Sequence, residues 1–81
     1  MPVIFYHNGV KFFFFSNEGS PLECIHVHVR KDEKLAKIWV EPELHLESSY
    51  GFTLKEIKAI MNVVKIRKAE IIEAWNEHFD S

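Results

Sequence analysis

The stretch Ile25-His26-Val27-His28-Val29 decides how this chain is read. Successive side chains of a strand point to opposite faces, so Ile25, Val27 and Val29 form one row and His26, His28 and Arg30 the other. One row is aliphatic and the other carries titratable groups, the pattern of a strand with a core side and a chemical side. A second segment, Leu35-Ala36-Lys37-Ile38-Trp39-Val40, alternates in the same way. Pairing the two about Lys31-Asp32-Glu33-Lys34 sets Val27 opposite Ile38, Val29 opposite Ala36 and Ile25 opposite Val40. The same register sets His28 opposite Lys37 and His26 opposite Trp39. A slip of one residue would drive the histidines and Lys37 into the aliphatic side, so this register is the one expected.

Upstream, residues 2 to 16 hold two apolar runs around Asn8-Gly9, the strongest short signal for a two-residue hairpin turn. That turn predicts His7 opposite Val10, Phe5 opposite Phe12 and Val3 opposite Phe14, with Ile4, Tyr6, Lys11, Phe13 and Phe15 on the other side. Both sides are apolar, which requires that something cover each of them. Ser16-Asn17-Glu18-Gly19-Ser20-Pro21 is dense in turn formers and predicts a loop. Downstream, Glu41-Pro42 ends the second hairpin, because proline donates no hydrogen bond to a ladder. Residues 43 to 50 read as a turn or short helix anchored by Leu44 and Leu46. Thr53 and Glu56 have the spacing of a capping box, with Phe52 and Ile57 placed as a hydrophobic staple. Leu54, Ile57, Ile60, Met61 and Val64 follow at helical spacing, and Ile71, Ile72, Trp75 and Phe79 continue the stripe. One straight helix over 54–79 would be about 39 Å long, whereas a compact chain of this size has a radius of gyration of about 12 Å. A break or bend near Val63 to Arg67 is therefore expected. The fold class is α+β: an antiparallel sheet of about four strands in two hairpins, then one bent or two C-terminal helices packed on one face.

Eighty-one residues, 47% of them hydrophobic, suffice for a single domain spanning 1–81 and leave no room for a second core. Seven Phe, two Trp and two Tyr supply large packing surfaces. The single Cys24 cannot form an internal disulfide, so a reducing, cytoplasmic setting is expected. Met1-Pro2-Val3-Ile4-Phe5 lacks a basic export signal, and Phe12-Phe13-Phe14-Phe15 is far too short to span a bilayer, so no membrane association is expected. Ten Lys and Arg against twelve Asp and Glu give a net charge of −2, which argues against a chain-wide electrostatic grip on nucleic acid. The Lys55, Lys58, Lys65, Arg67, Lys68 cluster and the Glu70, Glu73, Glu77, Asp80 cluster read as solvated helix faces.

Three readings of the titratable row differ in class. Histidines at i and i+2 on a strand are rooted about 6.5–7 Å apart, close enough to address one ligand. As a metal-independent ribonuclease, His26 and His28 would act as general base and acid on RNA, with Arg30 or Lys37 steadying phosphate and Trp39 stacking a base. As a metal site, the pair would supply two ligands, but no third is placed by any spaced motif, so neither a metal nor a cofactor is expected. As a binding module, the apolar hairpin side and Trp39 would form a partner surface, since helices from residues 53 to 79 can cover only one side of the sheet. The blandest alternative makes the histidines ordinary strand residues. Binding demands no special chemistry and is the primary expectation.

Pro2-Val3-Ile4-Phe5, Phe13-Phe14-Phe15-Ser16-Asn17-Glu18, His26-Val27-His28-Val29, Ala36-Lys37-Ile38-Trp39-Val40-Glu41-Pro42, Tyr50-Gly51-Phe52 and Glu73-Ala74-Trp75-Asn76-Glu77-His78-Phe79 together resemble the bacterial family catalogued as domain of unknown function 4160. The resemblance runs from end to end. It implies a small bacterial cytoplasmic protein encoded beside another small protein, as in a toxin–antitoxin pair, and it carries no established activity. The partner is then expected to be that neighbour or a second copy of the chain, with RNA as the alternative ligand.

Overall fold

The computed structural model describes residues 3–15 and 24–79. Five strands, β1 (Val3–His7), β2 (Val10–Phe13), β3 (His26–Lys31), β4 (Lys34–Trp39) and β5 (His45–Tyr50), precede two helices, α1 (Leu54–Ile66) and α2 (Lys68–Phe79). The strands form one antiparallel sheet in sequence order, β1-β2-β3-β4-β5. The expected class, a sheet followed by helices, is the one observed, with one strand more than expected.

The central hairpin has the register anticipated from its alternation, from His26 opposite Trp39 to Val29 opposite Ala36. Beyond the ladder, the Val40 and Glu41 amides both donate to the Ile25 carbonyl oxygen, at 2.8 and 3.2 Å. Asp32 takes a positive φ of 56°, a conformation that Asp tolerates better than most side chains. In the first hairpin Asn8 and Gly9 have φ of 50° and 78°, the mirror-image turn whose twist suits antiparallel strands. His7 faces Val10 and Phe5 faces Phe12 as expected, but Val3 faces Phe13 rather than Phe14. An irregularity between Val3 and Phe5 shifts the register, and Val3 and Ile4 line a depression with Phe14, Ala74 and His78. Ile4 is thus packed against the core, not displayed with Tyr6. The loop expected over residues 16–21 lies outside the described residues.

Residues 45–50, read from sequence as part of a turn or short helix, are instead the edge strand β5. Five of its six residues are exposed, so it lacks the apolar alternation that marks a buried strand. Leu46, half-buried, pairs with Ile38, and a second shift of register between Lys37 and Ile38 leaves Glu47 bulged outward.

Capping starts α1 as its sequence dictates. The Thr53 hydroxyl accepts from the Glu56 amide at 3.1 Å, and the Glu56 carboxylate accepts from the Thr53 amide at 2.8 Å. Ile57, Ile60 and Val64 are the buried face of α1, and Ile71 and Trp75 that of α2. The break falls at Arg67, with φ −101° and ψ 21°. Its guanidinium lies 3.6 Å from the Phe5 ring centroid and grips the Glu70 carboxylate with two hydrogen bonds, of 2.8 and 2.9 Å. These contacts hold the bend without proline or glycine. Folding the helices back in this way gives a radius of gyration of 11.8 Å.

The helices cover the face bearing Val10, Phe12, Val27, Val29, Ala36 and Ile38, and these residues form a single core cluster with the helical stripe. No described helix is long and apolar enough to cross a membrane.

Candidate functional site

The other face of the sheet carries the residues singled out for chemistry. Register alone builds it as cross-strand rows. One row runs Tyr6, Lys11, Arg30, Leu35, Tyr50 across all five strands, and the next runs Phe13, His28, Lys37, Ser48. His26, Trp39 and His45 form a third, shorter row, because β2 ends at Phe13 opposite His28.

His26 is fully buried. Its ring centroid lies 5.3 Å from His28, 5.0 Å from Trp39 and 5.2 Å from Trp75 of α2. Trp75 reaches it at the end of the sheet that β2 has vacated, packing also on Phe14 at 5.2 Å. Nδ1 of His26 lies 2.9 Å from the Cys24 carbonyl oxygen. A carbonyl only accepts, so Nδ1 carries the proton in this bond. His26 therefore joins the two layers rather than facing solvent.

His28 is half-buried, with its ring 4.4 Å from Phe15 and 5.7 Å from Phe13. The two imidazoles are adjacent, as the spacing required, but they differ in access. Arg30 is exposed and donates through Nε to the Asp32 carbonyl at 3.0 Å. Lys37 lays its ammonium over the Trp39 ring, 4.6 Å from the centroid, and Trp39 donates its indole N–H to the bulged Glu47 at 2.9 Å. Lys11 sits over Phe13 in the same manner, at 4.9 Å. Among the described residues no His, Cys, Asp or Glu gather in threes that would hold a metal ion.

The face also contains what the sequence did not reveal. An open depression of about 360 Å³ is lined by Phe13, Phe15 and His28 from the β2–β3 side, by Leu35 and Lys37 of β4, and by Ser48 and Tyr50 of β5. Leu35 and Tyr50, at 46% and 72% exposed, are its rim. They could be placed there only once β5 was known to pair with β4, which is why Tyr50 escaped sequence reading. Arg30, Lys37 and Trp39 are brought to one face as anticipated, whereas His26 lies beneath it.

No curated protein and no solved structure matches this chain. The model of one family does, over residues 9–76, a span that takes in β2 to β5, α1 and most of α2. The chain therefore belongs to the family described as domain of unknown function DUF4160.

Proposed function

We propose that this chain is a small cytoplasmic binding protein of bacteria, one component of a two-gene module of the toxin–antitoxin kind, acting by contact with a protein partner through the uncovered face of its sheet. The observation that supports this reading is the exposed apolar rim of that face. Leu35 and Tyr50 are 46% and 72% exposed and are direct cross-strand partners. Contiguous apolar surface beside a formed depression marks a partner site. The competing ribonuclease chemistry would need both imidazoles to reach the RNA, and the His26 ring has no exposed surface.

Co-expression with the protein encoded beside it is the test. The expected result is one complex on gel filtration with light scattering, lost on Leu35→Asp while the variant keeps its circular dichroism and melting behaviour. Separate elution of the two wild-type proteins, or a complex indifferent to Leu35→Asp, would sink the reading. A chain that self-associates through this face would show a doubled mass before any partner is added.

A further inference from the structure

The cations of the uncovered face are arranged against one another. Lys11 and Arg30 are direct cross-strand partners, and Lys37 pairs with His28 in the next row. Like charges placed opposite each other destabilise an antiparallel pair, and no ion pair among the described residues relieves Lys11, Arg30 or Lys37. The lysine of the neighbouring turn, Lys34, is by contrast neutralised by Glu56 at 3.0 Å. Glu47, the carboxylate nearest this cluster in register, is engaged by the Trp39 indole. Lys37 lines the apolar depression of about 360 Å³, and Lys11 and Arg30 stand in the same cross-strand row as its rim residues Leu35 and Tyr50.

From this charge pattern we infer that the occupant of the face is an acidic segment of a partner protein, one that seats an apolar side chain in the depression and sets carboxylates against Lys11, Arg30 and Lys37. This rests on the proposed binding role and specifies its chemistry. Two features favour an acidic polypeptide over single-stranded RNA. Stacking a base needs an open ring face; beside the cations Phe13 is only 2% exposed and has an ammonium over it and the Trp39 ring lies under Lys37, which leaves the rings of Tyr6, Phe15 and Tyr50, farther out, as the open ones. The surface of the depression is mostly apolar although His28, Lys37, Ser48, Ser49 and Tyr50 contribute to its lining, which suits an apolar side chain better than a base edge. An acidic, apolar segment suits both features, and its carboxylates would remove the Lys11–Arg30 repulsion.

Isotope-labelled full-length protein titrated by NMR tests this with three probes: a peptide alternating glutamate and leucine, its lysine–leucine counterpart, and an oligouridine. The acidic peptide is expected to shift the amides of Phe15, Leu35, Lys37, Ser48 and Tyr50. Its binding should weaken about three- to tenfold when ionic strength rises from about 0.01 to about 0.15 M, as screening shortens to roughly 8 Å. Lys37→Glu and Arg30→Glu should each weaken it about tenfold, with Lys37→Gln intermediate and all three folded by circular dichroism. Equal binding of the lysine peptide at the same amides would overturn the acidic occupant and leave a protein-binding face standing. Oligouridine shifting these amides where the acidic peptide does not would overturn both this inference and the protein-contact reading. Silence from all three probes would overturn the inference alone, since complex formation with the co-expressed neighbour is measured separately.

Discussion

His26 and His28 are two residues apart in sequence and separated by a large difference in environment. Strand alternation made them equivalent, but β2 stops short of His26 and Trp75 fills the gap, so one ring is sealed and the other borders the depression. Removing a sealed, hydrogen-bonded ring leaves a cavity and an unpaired carbonyl. His26→Ala is therefore expected to lower stability by about 2–4 kcal/mol, while His28→Ala should lower it by about 1 kcal/mol. Urea unfolding of the two variants against wild type checks this; equal losses would mean that His26 is not the structural residue its packing implies. The pair's adjacency was legible in the sequence. Its asymmetry was not, because it depends on a helix some fifty positions downstream, and no local pattern records where Trp75 lands.

At the scale of elements, the parts that proved legible are those with strong local chemistry. Asn8-Gly9 set a turn, the alternation of 25–29 and 35–40 fixed a register, and Thr53 with Glu56 fixed a helix start. Strand β5 was illegible because an edge strand in solvent needs no apolar row; only its pairing with β4 identifies it. The shift in β1 was hidden for a related reason: apolar residues on both sides of Val3-Ile4-Phe5 let either side turn inward. The capping box also gives α1 a pH response. The Thr53 amide, then the Lys34 ammonium, hold the Glu56 carboxyl below the usual carboxylate range. A carboxyl with a lowered folded pKa stabilises the fold above its unfolded value, about 4.3, and that contribution is lost as pH falls through the folded one. Glu56→Gln should thus narrow its stability gap to wild type as pH drops below about 4. Melting temperatures taken across pH 3 to 7, roughly the span of the carboxylate transition, measure it; a gap that stays constant would show that the charge on Glu56 is irrelevant to the cap.

Across the whole molecule, the two faces of one sheet have opposite fates. The helical face is closed by few large residues, so its stability is concentrated in them. Trp75 joins Phe14, His26 and Phe79 at ring distances of 4.3 to 5.2 Å. Trp75→Ala is expected to remove about 3–5 kcal/mol, much of the total of roughly 5–15 kcal/mol that a small domain commands. Such a variant should show no cooperative thermal transition near that of the parent, as differential scanning calorimetry would record. A cooperative melt displaced by only a degree or two would show that α2 is not anchored there. The uncovered face is the one that the proposed binding role uses, and sequence reached it halfway: it named Arg30, Lys37 and Trp39 but not the rim of Leu35 and Tyr50.

The sheet runs β1 to β5 in strict order and the helices come last. During synthesis each new strand finds its partner in the strand made just before it, so pairing joins neighbours in sequence and can be quick. The aliphatic rows of β2, β3 and β4 are nevertheless bare until α1 and α2 emerge. For that interval the nascent chain presents an unroofed greasy sheet, open to wrong association. Lys11, Arg30 and Lys37 on its opposite face leave that side of the half-made protein charged and hydrated while the other waits for its cover.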